Sequence, residues 1–139
     1  MADARAAKLK AVPLFAHCTT KQIEFIVTQV EDMDFAVGRV LCTEGQSGGD
    51  FFVLLSGAAD VTRKGRKIAK MKPGDFFGEI ALVDGGLRTA TVTTSEPSRC
   101  LVLGPRQFQN VLHQDADIAH SVMKALTLRV REAGAAKAD

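Results

Sequence analysis

The sequence predicts an α+β chain: an antiparallel β-roll of jelly-roll type, with helices before it and two helices after it. Three observations carry this. Apolar residues recur at helical spacing near both ends, the stretch from Phe35 to Leu103 breaks into short runs rich in Val, Ile, Phe and Thr, and glycine-bearing turns separate those runs. Many short strands at near-regular spacing are the pattern of a sandwich or roll.

The elements follow in order. Ala2 to Val12 is rich in Ala, Lys and Arg, which are good helix formers, and Pro13 closes that helix. Thr19 or Thr20 can cap a second helix, in which Ile23, Ile26, Val27 and Val30 share a face, so the N-terminal helices take residues 2–30. The roll takes residues 35–103. Its strands are Val40–Cys42, Phe51–Leu55, Ala59–Arg63, Lys67–Met71, Ala90–Thr94 and Arg99–Leu103, with turns at Glu44–Asp50, Ser56–Gly57, Lys64–Gly65, Pro73–Gly74 and Gly85–Gly86. Pro105 suits a first helical position, with Phe108, Val111 and Leu112 behind it. A longer helix runs from about Asp115 to Glu132, so the closing helices take residues 105–132. Its stripe is Ile118, Val122, Ala125 and Leu126, and Gly134 is the expected stop. One domain, residues 1–134, with a frayed tail at 135–139, is the organisation this implies.

Composition narrows the function. The chain has 139 residues, 46% hydrophobic and 24% charged, with 18 Lys plus Arg against 16 Asp plus Glu. A net charge of +2 excludes a purely electrostatic nucleic-acid binder, though not a local basic patch. No apolar run approaches the roughly 20 residues that span a bilayer, and residues 1–10 lack a signal peptide's apolar stretch, so a cytoplasmic chain is expected. Cys18, Cys42 and Cys100 are too scattered for a disulfide framework or zinc site and read as small buried hydrophobes. A metal-dependent enzyme on such a roll needs a His-x-His pair on its strands, but His17, His113 and His120 all lie outside it. No nucleophile–base pair is legible, and Gly45–Gly49 is not followed by the Gly-Lys-Ser/Thr of a Walker loop. The chain does not read as an enzyme, and no metal or cofactor is expected.

One segment carries chemistry, Gly74-Asp75-Phe76-Phe77-Gly78-Glu79-Ile80-Ala81-Leu82 through Gly85-Gly86-Leu87-Arg88-Thr89-Ala90. Gly78 lets the backbone approach a ligand and frees N–H groups at the start of a short helical turn, an arrangement that favours phosphate. Arg88 can bond two oxygens of a phosphate diester at once. Glu79 would repel a phosphate but suits the hydroxyl of a sugar. Donors, an arginine and a carboxylate together describe a ribose-phosphate pocket.

Phe77-Gly78-Glu79-Ile80-Ala81-Leu82 followed by Arg88-Thr89-Ala90 resembles the phosphate-binding cassette of cyclic nucleotide-binding domains, the sensor modules of catabolite-activator-type regulators, protein kinase regulatory subunits and cyclic nucleotide-gated channels. Glu44-Gly45 and Asp50-Phe51-Phe52-Val53-Leu54-Leu55-Ser56-Gly57 resemble the strand pair that precedes that cassette, and the order of elements fits over nearly the whole chain. By this resemblance Arg88 pairs with the cyclic phosphate and Glu79 accepts from the ribose 2′-hydroxyl. Backbone around Gly78, Ile80 and Ala81, with Thr89 and Ala90, completes the site. Val61 and Ile68 match positions that contact the base. The last helix is implied to be a lid, with Arg129, Leu126 and Val130 in the lid region.

The resemblance implies cAMP rather than cGMP. A Thr after the cassette arginine occurs with either ligand, but no acidic residue lies between Asp117 and Glu132, where cGMP-selective channels place one on the lid. It also implies a bacterial, cytoplasmic regulatory module acting on an unidentified output protein or domain, and leaves room for a homodimer. Bacterial regulators of this kind carry a DNA-binding helix-turn-helix after the lid, for which the 139 residues leave no space. Met1 mildly favours a natural start, and the chain is expected to be either a stand-alone sensor or a regulatory domain excised from a longer chain. The competing readings are a scaffold that binds no nucleotide, and a nucleic-acid or anionic-surface module using the basic run Arg63, Lys64, Arg66, Lys67, Lys70 and Lys72. Such a run is ordinarily a solvated strand face, and binding through it would fall steeply with salt.

Overall fold

The structure, a computed structural model, describes residues 4–138, apart from the side chains of Ile80 and of residues 129–138. Its contacts gather into two units: residues 30–108, and the helical segments on either side of them.

In the first unit, the described strands are β1 (Glu31–Phe35), β2 (Val40–Cys42), β3 (Phe51–Ser56), β4 (Ala59–Arg63), β5 (Arg66–Met71), β6 (Phe76–Phe77), β7 (Thr91–Thr94) and β8 (Ser98–Leu103). They form two antiparallel four-stranded sheets, β1-β8-β3-β6 and β2-β7-β4-β5. Consecutive strands repeatedly change sheets, the double Greek key order of a jelly roll. The six strands expected from sequence are all present. β1 and β6 are additional, and both have physical reasons for escaping notice. β1 is a sheet edge, Glu-Asp-Met-Asp-Phe, of which only Phe35 is even half-buried, so its alternation carries little apolar signal. β6 is only two residues long and pairs Phe77 with Phe52 and Phe76 with Val53.

Phe52, Leu54, Ala59, Met71, Val92, Cys100 and Val102 are buried together, with Phe35, Leu41, Val61 and Phe77 packed against them. The Phe52 and Phe77 rings stack with centroids 4.8 Å apart.

In the helical unit, α1 (Ala4–Lys10) is followed by a 3₁₀ turn at Pro13–Phe15 and by α2 (Thr20–Val27). The expected start at Ala2 lies outside the described residues. Thr19 is the N-cap of α2: its hydroxyl accepts from Gln22 N at 3.2 Å, while its own N–H donates to the Gln22 side chain at 2.8 Å, a capping box. The helix stops before Val30, because Thr28 turns back on Phe25 through both its N–H and its hydroxyl, and strand pairing begins at Glu31.

The closing helices are α4 (Pro105–Gln114) and α5 (Ala116–Ala138). Ile118, Val122 and Ala125 form the buried stripe of α5, which packs against the 3₁₀ turn. Gly134 does not stop this helix, which runs on to Ala138. Glycine in a helix costs only about 1 kcal/mol, and the Ala-rich residues around it are strong helix formers.

Candidate functional site

The site is built where β6 ends. Gly74 N–H donates to Leu54 O and Leu54 N–H to Asp75 O, both at 2.8 Å, so the chain enters β6 already fastened to β3. At Gly78 it turns with φ 96° and ψ 3°, a left-handed conformation that strains any other L-residue. Glycine is needed for space as well. A Cβ there would stand 2.5 Å from Arg88 Nη1 and 2.6 Å from the Asp50 carbonyl oxygen.

The short helix α3 (Glu79–Asp84) starts at this turn. Leu82 N–H closes its first turn on Gly78 O, so the N–H groups of Glu79, Ile80 and Ala81 precede the intrahelical ladder, as at every helix start. Glu79 is buried, at 9% exposure, and Ala81 lies beside it at 6%.

The chain returns through Gly85 and Gly86 to Arg88 and is laced there to the loop between β2 and β3. Gly45 N–H donates to Arg88 O, Arg88 N–H to Gln46 O, and Gly48 N–H to Gly86 O, all within 2.9 Å. The Arg88 side chain is 8% exposed and held by main-chain carbonyls: Nε donates to Gly48 O at 2.7 Å and Nη2 to Asp50 O. Gly49, with φ 99°, makes this packing possible, since a Cβ there would lie 2.8 Å from Nη2. Carbonyls are dipoles rather than charges. They hold the guanidinium in place without cancelling its charge, and a permanently charged group buried in this way favours an anion beside it.

These parts surround a cavity of about 410 Å³. Of the residues anticipated from sequence, Gly78, Glu79, Ala81, Arg88, Thr89, Ala90 and Val61 all line it. Ile68 is not among the lining residues; it lies on β5 and is 48% exposed. The Ile80 side chain is outside the described residues, as is that of Arg129, whose backbone is part of α5.

The structure adds lining residues that sequence reasoning did not place here, chiefly Cys42, Arg63, Phe76, Asp84 and Leu87. Cys18 and Cys100 are buried as expected, but Cys42 is half-buried and faces the cavity, its Sγ 3.5 Å from Ala90 O. Burial pushes the Cys42 thiol up, and the charge of Arg88 opposes that rise, so the field of the arginine reaches the neighbouring strand. Arg63, read as part of a solvated basic run, donates from Nε to Thr89 O at 2.9 Å. Neither residue carries a local signal; each arrives through long-range register, β2 on β7 and β4 on β7.

Among the described residues no cluster of His, Cys, Asp or Glu could hold a metal ion, and no helix is long and apolar enough to cross a membrane.

Comparison with known proteins bears on the family and the fold. The chain is 34% identical over 106 residues to the cAMP-dependent protein kinase regulatory subunit of Yarrowia lipolytica, covering 75% of the chain and 28% of that protein. It is likewise 34% identical over 104 residues to the regulatory subunit of Hypocrea atroviridis, covering 75% of the chain and 22% of that protein. It therefore spans about a quarter of the length of these relatives. Among solved structures, the N-terminal domain of a transcriptional regulator from Streptomyces coelicolor superposes with a TM-score of 0.82 at 29% identity, covering 91% of this chain and 94% of that one. The Thermus thermophilus catabolite activator protein superposes with a TM-score of 0.70 at 25% identity, covering 88% of this chain and 60% of that one. The family model for the cyclic nucleotide-binding domain matches residues 33–115, and the chain belongs to that family.

Proposed function

We propose that the chain binds cAMP in preference to cGMP in the cavity beside α3 and relays occupancy to an output protein or domain through closure of its C-terminal helix. The observation that carries this is a buried arginine held, among the described residues, by main-chain carbonyls, and a buried carboxylate on the wall of the same cavity, at the start of the helical turn that Gly78 opens.

In this reading Arg88 pairs with the cyclic phosphate, and the N–H groups after Gly78, at Ile80 and Ala81, donate to it together with the backbone at Thr89 and Ala90. Glu79 accepts from the ribose 2′-hydroxyl. Val61 flanks the base, with Ile68 further along the hairpin. Arg129, Leu126 and Val130 belong to the helix that closes over the base. For closure to act as a switch, the nucleotide must bind the closed form better than the open one, since only differential affinity moves a conformational population. The cAMP preference rests on the absence of an acidic residue from 118 to 131 and is supported by the cAMP-dependent kinase relatives. The role is sensing rather than catalysis.

Calorimetric titration of nucleotide-free protein with cAMP and with cGMP tests this. The expected result is one-to-one binding of both, with cAMP the tighter. Failure of both to bind contradicts the reading and brings forward the scaffold alternative.

A further inference from the structure

We propose that Arg63 is a positioning residue for the cassette: it touches no phosphate but orients the backbone that follows Arg88. This rests on the nucleotide-binding reading of the cavity. Arg63 ends β4, and the β4–β7 ladder reaches only as far as Thr62 opposite Thr91. Beyond that rung the cassette segment 88–90 has left the sheet. There the Arg63 side chain takes over from the ladder, its Nε donating to Thr89 O at 2.9 Å across 26 positions of chain.

The anchor is itself braced. Lys64, in a left-handed conformation at φ 52°, donates its N–H to Glu44 Oε1 at 3.0 Å, and Glu44 N–H donates to Thr91 Oγ1 at 2.9 Å. Hairpin tip, cassette exit and the loop after β2 are thus tied into one ring. A trans peptide is planar, so its C=O and the following N–H point in opposite directions. Pinning the Thr89 carbonyl to Arg63 therefore fixes where the Ala90 N–H points, two residues from Arg88. Arg63 is exposed like the other members of the basic run, but of that run it alone lines the cavity; Lys70 does not.

The test is Arg63→Met, with Lys70→Met as the control from the same hairpin. In ligand-free protein, R63M should speed amide exchange at Thr89 and Ala90 about tenfold and leave the Glu31–Phe35 amides unchanged, while K70M changes neither. Unaltered exchange at 89–90 overturns the proposal, even if wild type binds no cyclic nucleotide. That second finding would instead refute the functional reading.

With ligand, R63M should weaken cAMP about tenfold, leave the ratio of cAMP to cGMP affinity as it was, and reduce discrimination between the two phosphorothioate diastereomers of cAMP several-fold. Equal losses for both diastereomers would mark a merely structural role, and a changed base ratio would mark a direct base contact; either overturns the proposal. If R63M melts globally, Arg63→Lys, which keeps a donor, should hold exchange at 89–90 close to the wild-type rate, and markedly faster exchange there in a folded R63K protein would equally count against it.

Discussion

Arg88 and Arg99 belong to the same unit and meet opposite surroundings. Arg99, on β8, is largely exposed and closes a two-pronged pair with Asp32, Nε to Oδ1 at 2.6 Å and Nη2 to Oδ2 at 2.7 Å. That hydrogen bond, and then the Asp32 charge, push the Arg99 pKa still further up. Its charge is matched within the protein, and its effect is to fasten β1 to β8. Arg88 is buried, and its partners are the carbonyls of Gly48 and Asp50. The same side chain fastens two strands where a carboxylate answers it and, under the proposed function, is left for a ligand where, among the described residues, main-chain dipoles hold it. Burial decides the rest, because an exposed pair is screened by water whereas a buried guanidinium gains much more from an incoming anion.

Breaking the buried member should have the largest effect. Arg88→Met removes charge-assisted bonds worth roughly 1.5–3 kcal/mol each, so cAMP affinity should fall by about a hundredfold in a direct titration. Gly78→Ala comes next. It places a Cβ against Arg88 Nη1 and Asp50 O and imposes a left-handed conformation that costs about 1–3 kcal/mol. Affinity should fall about tenfold and the melting temperature should drop with it. If binding is unchanged, the close approach of Gly78 to Arg88 plays no part in the site.

Thr89→Ala sharpens the comparison at the next residue, where the side chain is exposed rather than buried. It should weaken cGMP several-fold more than cAMP, and equal losses would remove Thr89 from the account of base preference. Arg99→Met should do least, leaving cAMP affinity within about twofold and lowering thermal stability slightly, since exposed ion pairs contribute little. A large loss of affinity in that variant would mean that the β1 edge participates in binding.

The roll was legible in sequence because its buried strands are dense in β-branched and aromatic residues and its turns carry glycine. The strand that escaped, Glu31–Phe35, shows how an edge exposed on all but one residue resembles a loop, and Gly134 shows that a glycine ends a helix only where the chain has somewhere else to go. In the site, Gly78, Glu79 and Arg88 stand close together in one motif, and chemistry alone suggested a ribose-phosphate pocket. Cys42, Gly49 and Arg63 were not legible. Each comes to Arg88 or to the cavity wall through tertiary pairing, and the charge of Arg63 blends into a run of lysines and arginines that otherwise faces solvent.

The central claim is that the charge of Arg88 is kept for the phosphate of the ligand. The most direct test is a thermodynamic cycle: wild type and Arg88→Met, each titrated with cAMP and, by competition, with adenosine, which has the base and ribose but no phosphate. The account predicts that the variant loses about a hundredfold for cAMP and almost nothing for adenosine. Equal losses for the two ligands would contradict it, because Arg88 would then be supporting the pocket as a whole rather than reading the phosphate.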